Sequence, residues 1–138
     1  ASEVVVVGRT PVRADAAARL AGEAGRRGTA SDAPRADLVV NATPAGMAGA
    51  PAAGELPPVD PGLLGEGQLV VDLVYAPRPT RWLELAAERG AATLDGLGML
   101  VHQAALQIEL WSGRSAPVEA MWDAVSDHVA RQEASPPG

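Results

Sequence analysis

The sequence predicts an α/β fold, a parallel β-sheet flanked by helices, on three observations. Short apolar runs bounded by turn residues alternate with stretches of helical period. The first run carries four consecutive valines, Val4–Val7, the pattern of a buried strand in a parallel sheet. No internal repeat divides the 138 residues, a length that suits one domain with its own core.

The elements follow in order. Glu3–Arg9 reads as a strand, and Thr10-Pro11 as an N-cap with proline at the first helical position. The helix it opens is expected to run to about Arg27, packing Ala17, Leu20, Ala21 and Ala24, with Gly28 as its stop. Asp37–Ala42 and Gln68–Val74 are the next strands. Between them a Gly/Pro/Ala-rich stretch from Pro44 to Pro58 is expected to be a surface loop, and Asp60-Pro61 to cap a short helical turn. Thr80–Arg89 is a helix ended by Gly90, and Ala92–Leu94 a short strand. Helices over about Leu97–Trp111 and Pro117–Gln132 close a domain spanning 1–133, with a disordered tail at 134–138.

Composition excludes several classes of function. There is no Phe, so the core must come from Val, Leu, Ile, Ala and three Trp. No Cys is present, which removes disulfides, thiolate chemistry and Cys-based zinc sites. His102 and His128 are the only histidines, and no metal-ligand cluster is expected around them. A net charge of −6 without basic–aromatic clusters argues against nucleic acid as a partner. No apolar run reaches the roughly 20 residues that span a bilayer, so no membrane is expected and a cytoplasmic location is. The chain opens on Ala1-Ser2-Glu3 without a methionine and enters a strand at once, which reads as a fragment.

Four segments carry possible chemistry, each at the end of a strand. Gly8-Arg9-Thr10-Pro11-Val12-Arg13 joins a strand to a helix N-terminus, where backbone N–H groups and two arginines suit a phosphate. The plainer reading is two solvated surface charges. Asn41-Ala42-Thr43-Pro44-Ala45-Gly46-Met47 has the small residues that admit a ligand to the backbone, and Thr43 can donate a hydrogen bond; it also reads as an ordinary turn. Asp72-Leu73-Val74-Tyr75-Ala76-Pro77, with Thr80 beyond, sets the only tyrosine just past a strand, at the ligand-binding edge of an open sheet. Asp72 there would fix the loop through backbone amides rather than act as an acid. Tyr75 reads equally as an amphipathic ring packed on the surface.

Asp95-Gly96-Leu97-Gly98-Met99-Leu100-Val101-His102-Gln103-Ala104 opens a helix that is apolar on two sides. Leu97, Leu100, Val101, Ala104, Ile108 and Trp111 form the expected core stripe. Met99, Leu106 and Leu110 lie roughly opposite, with Gln103 beside them and four residues from Met99. His102 lies off both sides, as a solvated residue rather than a general base.

Taken together, Asn41–Met47, Asp72–Tyr75 with Pro77 and Thr80, and Asp95–Gln103 resemble the shikimate dehydrogenases, in that family's order and approximate spacing. The resemblance runs from about Val4 to the last helix and implies a Rossmann-like domain lacking its first strand, glycine-rich loop and first helix. It implies NADP as cofactor, with Gly8, Arg9, Thr10 and Arg13 at the 2′-phosphate. Gly8 stands where the family usually has Asn. By the same resemblance Thr43 lines the cofactor channel, Leu73 and Gly96 offer backbone to the nicotinamide half, and Met99 packs near the ring. Tyr75 and Gln103 would hydrogen-bond shikimate or 3-dehydroshikimate. The proton-transferring Lys/Asp pair belongs to a substrate domain expected upstream, so no catalytic residue is expected in this chain. In the strand order 3-2-1-4-5-6 the absent first strand is central, leaving the strand at Glu3–Arg9 with an open edge. Enzymes acting on quinate or amino analogues, a non-catalytic binding module, and a homodimer remain open at this stage.

Overall fold

A computed structural model describes residues 1–52 and 54–133. The tail expected at 134–138 lies outside the described residues. Strands β1 (Val4–Val6) and β2 (Gly25–Arg27) pair in parallel, with helix α1 (Pro11–Ala18) between them in sequence. Strands β3 (Leu38–Asn41), β4 (Leu69–Asp72) and β5 (Ala92–Leu94) form a second parallel sheet in that order. Helix α2 (Arg81–Glu88) connects β4 to β5, and α3 (Leu97–Ser112) and α4 (Val118–Glu133) close the chain. The α/β class and parallel pairing are as the sequence predicts. No hydrogen-bonded ladder joins the two sheets, so β1 and β3 each have one strand neighbour among the described residues.

The first helix is shorter than expected. It ends at Ala18, a 3-10 turn spans Arg19–Ala24, and β2 occupies residues assigned to helix. Two glycines cause the reversal. Gly22 takes φ +62, which favours glycine, and a Cβ at Gly25 would overlap the Ala18 carbonyl. The packed face is Ala14 and Ala18, each 4% exposed, and the expected Leu20 is 89% exposed instead. Val4–Val7 are half-buried rather than buried, because β1 is paired on one side only.

The core lies on one face of the second sheet. Val39 and Val70 meet Trp82, Leu83 and Ala86 of α2, with Ala33, Leu64 and Ala91 around them. Period-two alternation fixes that face, and the opposite one leaves Leu38, Val40 and Leu94 exposed. Trp82 is 2% exposed and its indole N–H donates to the Val59 carbonyl at 2.9 Å. Thr80 caps α2 as its oxygen accepts from Leu83 N, and Asp60 caps the 3-10 turn Pro61–Leu63 in the place the sequence indicates. No helix among the described residues is long and apolar enough to cross a membrane.

Candidate functional site

Three parallel strands end side by side, and a buried polar network ties their C-terminal turns together. The β3–β4 register sets Asn41 opposite Asp72, which are 3% and 0% exposed. Asp72 Oδ1 accepts from Asn41 Nδ2 at 2.8 Å and from Val74 N at 3.0 Å; Oδ2 accepts from Thr80 Oγ1 at 2.7 Å. The amide oxygen of Asn41 in turn accepts from Thr43 N at 3.0 Å and Thr43 Oγ1 at 2.7 Å. Every buried side-chain polar atom among the described residues has a partner, as buried polar groups require.

The third strand end is joined through the backbone. Gly96 N donates to Val74 O at 3.4 Å, and a Cβ on Gly96 would overlap the Leu73 carbonyl, so only glycine lets these two segments abut. Asp95 adds a side-chain tie, accepting from Arg78 Nε at 2.7 Å and from Leu97 N at 2.9 Å. That ion pair links the loop after β4 to the start of α3.

These ties shape a cavity of about 160 Å³ lined by Leu73, Tyr75, Gly96, Met99, Leu100 and Gln103. Five of the six are residues singled out in the sequence. Leu100 is the addition; the helical stripe had assigned it to the core, whereas it is half-buried and turned partly to this cavity. A second cleft, of about 460 Å³, is lined by Met47, Ala48, Gly49, Tyr75 and Ala76. Tyr75, 38% exposed, borders both. The core stripe on α3 also departs from expectation. Leu97, Val101 and Ala105 are buried, but Trp111 is 77% exposed and Ile108 lies near the surface. The main element packed on α3 is α4. His102 is exposed, its ring 6.3 Å from Trp122 in an edge contact, away from the cavity-lining set.

The remaining site residues lie elsewhere. Gly8, Arg9, Thr10 and Arg13 are all exposed, at the turn between β1 and α1 and the start of α1, outside both cavities. Thr10 takes the N-cap position with extended backbone, yet its side chain makes no capping bond. Arg9 faces Glu55 Oε2 at 3.6 Å. Thr43 is at the β3 turn, where its hydroxyl donates to Asn41 Oδ1 and accepts from Ala45 N at 3.3 Å. No group of three or more His, Cys, Asp or Glu side chains that could hold a metal occurs among the described residues.

Sequence reasoning missed Asn41, Arg78 and Asp95 as loop-setting groups. Their signal was present: polar residues at register-matched strand ends and before a helix.

Comparison with known proteins fits this arrangement. The model of the Shikimate 5'-dehydrogenase C-terminal domain matches residues 96–125. The shikimate dehydrogenase (NADP(+)) of Methanopyrus kandleri is 50% identical over 94 residues, covering 68% of this chain and 32% of that protein. The crystal structure of shikimate 5-dehydrogenase from Thermus thermophilus with NADP(H) and shikimate superposes with a TM-score of 0.77 at 37% identity, covering 91% of this chain and 46% of that one. Quinate dehydrogenase from Corynebacterium glutamicum, in complex with NAD, gives 0.79 at 32% identity, covering 91% and 46%. The chain thus spans about a third of the length of the curated relatives it matches. By its strand-end turns, its parallel Rossmann-like architecture and this likeness, the chain belongs to the shikimate dehydrogenase family, whose C-terminal domain it matches.

Proposed function

We propose that residues 1–133 are the NADP-binding part of a shikimate dehydrogenase, whose complete protein reversibly reduces 3-dehydroshikimate to shikimate with NADPH in the cytoplasm. One observation carries this reading. Leu73, Gly96 and Met99 converge with Tyr75 and Gln103 on a single cavity at the strand ends, where open parallel sheets take their ligands.

The residues present suit the cofactor. Abutting Leu73 and Gly96 backbones make a wall of peptide groups that a planar ring can approach, and Met99, 51% exposed, stands beside it. Arg9 and Arg13, both exposed on one turn, offer guanidinium groups to a 2′-phosphate. The bound cofactor supplies the hydride; this chain supplies orientation and electrostatics. Thr43 lines the cofactor side, Tyr75 hydrogen-bonds the substrate through its hydroxyl, and the Gln103 amide both donates to and accepts from substrate hydroxyls. Proton transfer is assigned to a Lys/Asp pair in a substrate domain outside this chain.

A reading as a quinate or aminoshikimate dehydrogenase is favoured only by the likeness to the Corynebacterium enzyme. Gly8, in place of the family's Asn, is what favours a non-catalytic module.

Steady-state kinetics of the complete protein with shikimate or quinate, each with NADP or NAD, test the assignment. Shikimate with NADP is expected to give the highest kcat/KM; quinate preferred over shikimate overturns the substrate, and no turnover with any pair points to the binding module. Gln103→Ala is expected to raise KM for shikimate or lower kcat, while melting temperature and NADPH affinity hold. A fall in melting temperature with unchanged kinetics would instead make Gln103 a bridge between domains.

A further inference from the structure

We infer that Asp72 is a positioning residue for Tyr75, an inference that rests on the substrate site proposed above. Asp72 is fully buried at the end of β4 and touches neither cavity. Burying a carboxylate is costly unless donors surround it, and an apolar residue would fill a purely packing position at lower cost. Here three donors come from three different segments. Asn41 Nδ2 comes from β3, Val74 N from the turn one residue before Tyr75, and Thr80 Oγ1 from the cap of α2.

Those donors bracket the tyrosine. On its N-terminal side Val74 N is fixed by Asp72, and Val74 O accepts from Gly96 N. On its C-terminal side Ala76 O accepts from Ala48 N, in the loop after β3, at 3.1 Å. That loop begins at Thr43, whose amide and hydroxyl are held by Asn41, itself bonded to Asp72. One carboxylate therefore sets both backbone neighbours of Tyr75, directly at Val74 and through Asn41 toward Ala48. Tyr75 stands 38% exposed between the two cavities, with its backbone tied on both sides. The direction of its hydroxyl comes from this backbone.

An Asn in place of Asp72 keeps the shape but removes the charge, so the bonds from Asn41, Val74 and Thr80 lose the charge assistance that makes such contacts roughly twice as strong.

The test is a double-mutant cycle in the complete enzyme, with Asp72→Asn, Tyr75→Phe and both together. The readouts are the dissociation constant for shikimate without cofactor, by calorimetry, and KM and kcat. A hydrogen bond to substrate lost through misplacement weakens binding roughly three- to tenfold. Asp72→Asn is expected to show that loss in binding and KM, with kcat changed far less, and to add under about twofold in the Tyr75→Phe background. Additive losses would mean that Asp72 only stabilises the fold, and would overturn the inference. If Tyr75→Phe alone changes nothing, the substrate-site reading fails first and takes the inference with it. Should Asp72→Asn not fold, Thr80→Val leaves the carboxylate but removes one donor, and Thr80→Ser restores it. The same Tyr75-dependent loss in Thr80→Val, recovered in Thr80→Ser, supports the role; a loss that ignores Tyr75 or is not recovered overturns it.

Discussion

The Arg9 side chain is 80% exposed, and its counter-charge, Glu55, is 58% exposed at 3.6 Å. Such a pair contributes about 0–1 kcal/mol, less than the roughly 1.5–3 kcal/mol of a charge-assisted bond to phosphate, so at the proposed cofactor site a 2′-phosphate would displace Glu55. Arg9→Ala is expected to weaken NADPH binding by one to two decades in the complete enzyme and leave NADH nearly unchanged. Equal losses for both cofactors would make Arg9 structural. Gly8 beside it is not held by geometry: its φ is ordinary, and an added Cβ would meet only Ala14 Cβ at 3.6 Å. Gly8→Asn is therefore expected to be accommodated and to tighten NADPH by a few-fold, the gain of one neutral hydrogen bond. Calorimetry on both variants checks this, and weaker binding by Gly8→Asn would show that the turn has no room for the side chain. At this scale the cavity-lining set was legible, since Leu73, Tyr75, Gly96 and Met99 stand just past strand ends in the sequence and Gln103 on the helix that follows, whereas the Gly8–Arg13 turn lies outside both cavities. The direction of the Thr43 proton was not legible, since it depends on Asn41, a neighbour that only the folded strand pair supplies.

Elements were legible where pattern and punctuation agreed. Asp60-Pro61, Thr80 and Gly90 mark real boundaries, and β3, β4 and β5 fall within or on the expected runs. The first helix was misread because a run of alanines outweighed Gly22 and Gly25, the two residues that turn the chain into β2. The 3-10 turn Ala30–Arg35 was missed as well, yet Thr29 and Asp32 form a capping box at its start. Donation from Arg26, then from the Thr29 backbone, holds the Asp32 carboxyl at about 2, below its ordinary 3.8. A carboxyl depressed by folding stabilises the fold above its unfolded value and loses that contribution as pH falls through the folded one. Melting temperature should thus fall between about pH 4 and pH 2, and Asp32→Asn should lose that part of the acid dependence while melting lower at neutral pH. Thermal melts across that range decide; identical slopes for the two proteins would show that the cluster of Arg26, Glu3, Asp32 and Arg35 adds nothing measurable.

Across the whole molecule, stability is divided unevenly. The clustered core draws all eight of its residues from Ala33 to Ala91. Residues 1–28 bury only Ala14 and Ala18, whose side chains are too small to contribute much apolar area. The open edge of β1 compounds this, because an edge strand exposes its backbone groups to water. Amide exchange follows such local differences in opening free energy. In the 138-residue chain, the amides of Val4–Val6 are expected to exchange at least about a hundredfold faster than those of Val70–Asp72, roughly 2.7 kcal/mol less protection. Proteolysis should remove the N-terminal β1–α1–β2 unit first and leave a fragment beginning near Ala30. A strand or domain from the complete protein that pairs with β1 would slow its exchange while leaving Val70 and Val71, already protected by pairing on both sides of β4, little changed. Hydrogen exchange read residue by residue on the chain and on the complete protein separates these effects. Equal protection of β1 and β4 in the isolated chain would show that the two sheets open as one unit, and that the uneven burial does not govern its stability.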